Sequence, residues 1–294
     1  MWKEIKNVSA PYHFEAVLDR LSLDPLQTIN MDERTIKVPL YIDGNPEIIT
    51  ITAIGTINQP AFEISGPAQQ TKDKVMQRIS RIFHWHIPLA NIEQHFKDTT
   101  LKSLFEIHRG TAIVLDFDYF GSLTKSIIHQ QLNLKFAYVL TTRFVQTYGE
   151  KIDGVWFYPK PEKVAKLTVE ELKELQFSGR KAEYVIGLAN EIVQGNLDLE
   201  GLLNVNDEEV IEILTRVRGI GKWTAESFLL FALGRTNIFP KADIGIQNAI
   251  KNILHLPEKP TIDQMLSYSK QWEPYLSYAS LYLWRSTEKR SENK

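Results

Sequence analysis

The stretch Thr215-Arg-Val-Arg-Gly-Ile-Gly-Lys-Trp-Thr-Ala225, followed by Phe239-Pro-Lys-Ala-Asp243, decides the reading of this chain. The first segment reads as the end of one helix, a tight Gly-Ile-Gly turn and the start of another. Glycine lets the backbone turn sharply and approach a partner without a Cβ in the way. The second helix opens at that turn, so its unpaired N–H groups point outward, toward any anion held there. A DNA phosphate is a natural occupant. The second segment sets a carboxylate, Asp243, just before another helical run, Ile244-Gly-Ile-Gln-Asn-Ala-Ile-Lys-Asn-Ile-Leu254. Taken singly, a Gly-x-Gly turn is a common helix connection, and an Asp before a helix is ordinarily an N-cap. In this order and spacing, one element grips a backbone and the next carries a candidate catalytic acid.

Charge distribution supports that reading. The chain of 294 residues has a net charge of −2, which alone argues against nucleic acid. From Leu214 to Leu254, however, Arg216, Arg218, Lys222, Arg235, Lys241 and Lys251 face only Glu226 and Asp243. From Ser122 to Gly149 there are Lys125, Lys135 and Arg143 and no acid, whereas acids outnumber bases two to one from Glu150 to Glu212. A DNA-binding face needs local positive potential, not a basic whole. The basic windows coincide with the motif-bearing segments.

The length suggests two or three modules, and the 43% hydrophobic content suits a globular protein with ample core. There is no cysteine, which excludes disulfides, thiol catalysis and a Cys-ligated iron–sulfur cluster. No stretch reaches the length of a membrane span, and the start has no signal-peptide run, so a cytoplasmic location without membrane association is expected.

Along the chain, Thr35-Ile-Lys-Val-Pro-Leu-Tyr-Ile42, the turn Asp43-Gly44-Asn45, Glu47-Ile-Ile-Thr-Ile-Thr-Ala-Ile54 and Ala61-Phe-Glu-Ile-Ser65 read as strands. Lys72 to Trp85 turns helical, with Val75, Ile79, Ile82 and Phe83 on one face. Beyond Ile107 the pattern is almost wholly helical. A long apolar run from Asp118 to Tyr148 has a break near Gln130-Gln131-Leu132-Asn133. Thr168-Val-Glu-Glu171 forms a capping box, and helical runs follow at Lys181–Val193, Asp207–Val217, Asp263–Gln271 and Tyr275–Lys289. The fold class is therefore α+β. A small β-rich N-terminal domain (1–105), read as a cap without a direct DNA role, precedes an all-α body (106–294) of about ten helices.

Together these residues resemble the helix-hairpin-helix DNA glycosylases, and within that superfamily the 3-methyladenine DNA glycosylase II type. The resemblance covers residues 112–287 well and the first hundred loosely. It implies a two-lobed body with the hairpin at about 208–233, a chain that returns to the first lobe at its C-terminus, and a cleft between the lobes. It also implies excision of a flipped base. Asp243 then stabilises the positive charge that develops on the sugar and orients or deprotonates the attacking water. An N-cap role for Asp243 is compatible with this.

The remaining roles come from the same resemblance. In bifunctional relatives a Schiff-base lysine lies two residues after the last hairpin glycine, and here that position is Trp223. Lys222 stands one residue early, turned about 100° around the helix, so it reads as a phosphate contact and the enzyme as monofunctional. Trp223, Trp284 and Trp272 are the base-pocket candidates, each also compatible with a place in the core. Ser227 stands where the resembled enzyme has a tyrosine, which leaves substrate range open. Gly219, Gly221, Lys222 and Thr224 are the expected DNA contacts. Gln131, with Leu132 beside it, is the candidate wedge that fills the gap left by the flipped base, or else a polar helix cap. The backbone carbonyls of Thr215, Val217 and Ile220 fit a monovalent cation, Na⁺ or K⁺, and no organic cofactor is implied. Lys125, His129 and His255 stay unassigned. The expected partner is duplex DNA with alkylated bases (3-methyladenine, 7-methylguanine), bound by a monomer. The alternatives are a glycosylase for deaminated or oxidised bases, and a non-catalytic damaged-DNA sensor.

Overall fold

A computed structural model describes residues 1–287. The chain opens with strand β1 (Trp2–Asn7) and helix α1 (Phe14–Leu21), then strands β2 (Thr28–Asn30), β3 (Thr35–Ile42), β4 (Asn45–Ala53) and β5 (Ala61–Gly66). These form one antiparallel sheet in the order β1-β5-β4-β3-β2. Asp43 and Gly44, both at positive φ (50° and 78°), make the β3–β4 hairpin turn read from the sequence. Side chains alternate strictly along the central strands. Ile36, Val38, Leu40 and Ile42 of β3 and Ile49 and Ile51 of β4 are buried. Helices α2 (Lys72–Ile82), α3 (Leu89–Phe96) and α4 (Lys102–Ile107) follow. Val75, Ile79 and Ile82 form the inner face of α2, as their spacing required.

The expected domain boundary after residue 105 falls inside α4, and the hydrophobic core is continuous across it. Phe105 stacks on Phe96 and on Tyr282, at 3.8 and 3.9 Å between ring centroids. Tyr282 belongs to the last described helix, and its hydroxyl donates to the Thr111 carbonyl at 3.2 Å. The C-terminal helix thus returns to the N-terminal part of the molecule.

After residue 107 the described residues hold ten helices: α5 (Tyr119–His129), α6 (Leu134–Tyr148), α7 (Pro161–Val164), α8 (Val169–Glu174), α9 (Gly179–Val193), α10 (Asp207–Thr215), α11 (Lys222–Phe231), α12 (Ile244–Ile253), α13 (Ile262–Ser269) and α14 (Leu276–Thr287). The last two positions of the helical run expected to reach Lys289 lie outside the described residues. The break foreseen at Gln130–Asn133 is real. Asn133 starts α6 by accepting the Phe136 N–H at 2.9 Å. The capping box at Thr168–Glu171 is also present. One element departs from the all-helical expectation. β6 (Glu150–Ile152) and β7 (Val155–Phe157) pair as a hairpin around Asp153-Gly154, with Phe157 edge-on to Tyr41 of β3. Three-residue strands are too short to show an alternating pattern, although the Asp-Gly pair is a hairpin signal.

Side-chain caps mark most helix starts in the body: Asp118 for α5, Asn133 for α6, Thr168 for α8, Ser178 for α9, Asn206 for α10, Asp243 for α12 and Thr261 for α13. α11 opens at Gly221 with no side-chain cap.

Candidate active site

Asp243 ends a loop that is held on several sides. The Ile238 N–H donates to Ser277 Oγ at 2.9 Å, and that hydroxyl donates to the Arg235 carbonyl at 2.6 Å. Phe239 lies edge-on to Trp272, with ring centroids 5.8 Å apart. The Asp243 N–H closes the turn onto the Pro240 carbonyl at 2.8 Å. The Asp243 carboxylate then caps α12, with Oδ1 accepting the Ile246 N–H at 2.9 Å. Two indoles converge on the same carboxylate. Trp284 Nε1–H of α14 donates to Oδ1 at 2.9 Å, and Trp223 Nε1–H of α11 donates to Oδ2 at 3.3 Å. Three N–H groups from three helices therefore fix its orientation, while Oδ2 carries only the longest of these bonds.

These residues wall a cleft of about 390 Å³. Trp223 is 40% exposed at its mouth. Phe231 tilts against Trp284 at 5.7 Å, and the Arg20 guanidinium lies 5.0 Å from the Phe231 ring centre. Ser227 lines the cleft but turns its hydroxyl back to the Trp223 carbonyl at 2.9 Å, so it adds space beside the indole rather than a free polar group. Asp24, Asp116, Lys125, His129 and Tyr138 complete the wall. Lys125 is ion-paired with Asp116, whose other oxygen accepts from Ser122 Oγ at 2.6 Å. Burial works against the Lys125 charge, but Asp116 and Asp24 outweigh it and hold the ammonium above the ordinary lysine range. Burial pushes His129 down to about 4, leaving a neutral imidazole 3.0 Å from Thr141 Oγ1. The cleft therefore holds three carboxylates (Asp24, Asp116, Asp243) against two cations (Arg20, Lys125).

The hairpin lies beside this cleft. Gly219 has φ +96°, and a Cβ there would overlap the Tyr184 ring of α9. Gly221, by contrast, has open space where its Cβ would be. The uncapped start of α11 thus faces solvent, with Gly221, Lys222 and Trp223 all exposed. The carbonyls of Thr215, Val217 and Ile220 lie around the turn. That of Val217 accepts the Ile220 N–H at 3.0 Å and keeps a second lone pair. Gln131 sits exposed at the α5–α6 turn with φ +58°, and Leu132 beside it is half-buried against the core.

Four expectations change. Trp272 is fully buried and supports Phe239 from below, so it is core and not pocket. A large aromatic at helical spacing reads the same in either place. Thr224 is 2% exposed, and its hydroxyl accepts from Gln130 Nε2 at 3.1 Å, so it braces the hairpin rather than facing DNA. Not every cation of the basic window is free: Arg216 pairs with Glu212, Arg218 with Glu183 and Arg235 with Asp207. Arg235 also donates to the carbonyls of Leu202, Leu203 and Val205, fixing the approach to α10. The N-terminal part does more than cap the body, since Arg20, Leu21, Leu23, Asp24 and Gln27 line the cleft. No local motif marks these five, because their role depends on where α1 packs.

Among the described residues no His, Cys, Asp and Glu group is arranged to hold a metal ion, and no helix is long and apolar enough to cross a membrane. Comparison with known proteins gives a family. The description "HhH-GPD superfamily base excision DNA repair protein" matches residues 124–274. The chain is 50% identical over 289 residues to YfjP of Bacillus subtilis (strain 168), covering 98% of this chain and 100% of that one. The assignment of YfjP as a DNA-3-methyladenine glycosylase is itself provisional. It is 32% identical over 250 residues to a DNA-3-methyladenine glycosylase of the same organism, covering 81% of this chain and 82% of that one. A solved 3-methyladenine DNA glycosylase from Archaeoglobus fulgidus shares the fold, with a TM-score of 0.84, 23% identity and 97% of each chain covered. The hairpin at 215–225 and the carboxylate held between two indoles are thus features of a chain that belongs to the HhH-GPD superfamily of base excision DNA repair proteins, among its DNA-3-methyladenine glycosylases.

Proposed function

We propose that this chain is a monofunctional glycosylase that flips alkylated purines out of duplex DNA and hydrolyses their N-glycosidic bond, with 3-methyladenine and 7-methylguanine as substrates. The observation that carries this is Asp243, fixed by three N–H donors between Trp223 and Trp284 at the wall of the cleft. As the bond from C1′ to the base lengthens, its electron pair moves to the base and neutralises a cationic, methylated ring. Positive charge grows on the sugar, and Asp243 Oδ2 retains lone pairs to face it. Water adds at C1′, and its proton passes to the carboxylate or to solvent. The excess of carboxylates in the cleft favours a cationic base, as do the indoles, by about 0.5–2 kcal/mol for a cation over an aromatic face. The lysine needed for a Schiff base is absent from the position that Trp223 fills, and Lys222 points to solvent.

DNA would approach the uncapped N-terminus of α11 at Gly221, with Lys222 as phosphate contact and Gln131 at the wedge position. The carbonyls of Thr215, Val217 and Ile220 would hold Na⁺ or K⁺; hard carbonyl oxygens without charged ligands suit such an ion, which would add positive charge next to a phosphate. The protein would act as a monomer. Incubation with methylated duplex DNA, followed by chromatography of the freed bases, tests the reading. Release of 3-methyladenine and 7-methylguanine supports it. Release of only deaminated or oxidised bases from a wider panel would reassign the lesion. Binding to damaged DNA without release of any base would make the protein a sensor.

A further inference from the structure

The turn that carries Gln131 is tied to the hairpin by a bracket that no expectation from sequence included. α5 ends at His129, and its last carbonyls have no partner within the helix. The Lys181 ammonium, from the first turn of α9, collects three carbonyls there: Ile127 at 2.9 Å, Ile128 at 2.8 Å and Gln130 at 2.6 Å. Gln130 then reaches across to the hairpin. Its Nε2 donates to the Gly219 carbonyl at 2.9 Å and to Thr224 Oγ1 at 3.1 Å. α9 completes the bracket from the other side. Tyr184 lies three residues after Lys181 and so on the same helix face, and its ring fills the space beside the Cβ-less Gly219.

We propose that Gln130 and Lys181 are positioning residues that lock the Gln131–Leu132 turn to the hairpin, so that the phosphate grip sets how deeply the turn enters the duplex. The inference rests on the proposed base-flipping function. Gln131 is held at positive φ (58°), a conformation an unsupported glutamine rarely keeps. The residue before it is fixed through its side chain to one structure and through its carbonyl to another. Both amide bonds of Gln130 end on hairpin atoms, so the hairpin and the turn move as one body. A rigid wedge matters when a paired base must be displaced. It matters less when the lesion faces no partner base, because no pairing then opposes extrusion.

The readout is therefore a ratio. Single-turnover excision is measured for a methylated base in a fully paired duplex and for the same base opposite an abasic analogue. Gln130→Met, which keeps length and loses both donors, lowers the paired-to-unpaired ratio by about tenfold, the scale of one to two hydrogen bonds. Thr224→Val removes one acceptor in isosteric form and lowers the ratio by roughly threefold. The double variant is no worse than Gln130→Met alone, because both changes break the same link. An unchanged ratio in Gln130→Met with a near wild-type melting temperature would overturn the inference, and so would additive losses in the double variant. If Gln130→Met does not fold, Thr224→Val decides alone, and an unchanged ratio there overturns it. Failure of the wild type to release base from either duplex would instead refute the proposed function.

Discussion

Asp243→Asn separates the observed capping task of the central carboxylate from its proposed catalytic one. An Asn is about as good an N-cap as an Asp. Its amide oxygen can keep the bonds from Ile246 N–H and Trp284 Nε1–H, both to Oδ1 at 2.9 Å. The amide nitrogen then faces Trp223 Nε1–H, formerly 3.3 Å from Oδ2, and that bond is lost. Trp223 is 40% exposed, so water can replace it. The folding penalty is then about 0.5–1 kcal/mol, one ordinary hydrogen bond. The catalytic penalty is larger, because the amide offers no charge to the sugar cation. Removing one such electrostatic group costs about 10²–10³ in rate, or roughly 2.7–4 kcal/mol. Single-turnover release of methylated base should fall by that factor, while the melting temperature and the affinity for methylated DNA stay near wild type. Asp243→Ala should lose the same rate and a further ~1 kcal/mol of stability, because the cap goes as well. An Asp243→Asn enzyme within about threefold of wild type would refute an electrostatic role of the size such groups have.

The two hairpin glycines should behave differently. Gly219→Ala forces a Cβ into Tyr184 at positive φ and should lower stability by ~2 kcal/mol or more, whereas Gly221→Ala should leave the melting temperature unchanged and weaken binding to damaged and undamaged DNA alike. Equal stability of the two variants would contradict this geometry. Borohydride should not trap the protein on DNA, and strand breaks should appear only after alkali; trapping abolished by Lys222→Ala would make the enzyme bifunctional. Methylated cationic purines should be released faster than hypoxanthine, and Trp223→Ala should narrow that preference more than it weakens binding to undamaged DNA; faster release of the neutral base would remove the cation-stacking argument. The depressed His129 makes stability pH-dependent with a definite sign: the unfolded chain takes up a proton that the native state refuses, so the contribution is full above the ordinary histidine value of 6.5 and is lost as pH falls toward about 4. His129→Gln should therefore lose less melting temperature than wild type over that window, and equal losses would mean the buried imidazole does not carry the effect.

Much of this protein is local and hence legible in the chain. The β3–β4 hairpin follows from alternation and Asp43-Gly44. The break between α5 and α6 follows from polar residues that cannot continue an apolar face. The hairpin follows from its Gly-Ile-Gly turn, where Gly219 takes a positive φ that other residues rarely adopt, and Asp243 as a cap follows from its place before an apolar helical run. In each case the deciding interaction spans a few residues, so spacing encodes it. Tertiary packing decided the rest, because one side chain type serves several environments. Trp223, Trp272 and Trp284 are equivalent in sequence. Only the packing of α14 against α12 and the loop before Asp243 sends two indoles to the carboxylate and one into the core. Thr224 looks like a surface contact until Gln130 is seen to occupy its hydroxyl, a bond between residues 94 positions apart. Arg20 and Asp24 reach the cleft because α1 packs against the helical body, and Lys181 caps α5 from 51 to 54 residues away. Hydrophobic periodicity states which face of an element is buried and is silent on what it is buried against. The sequence alone determined the three central strands, most of the longer helices, the family-bearing hairpin and the place of Asp243 before a helix; only the assembled core determined which side chains meet that carboxylate, since contacts between distant segments have no fixed spacing along the chain.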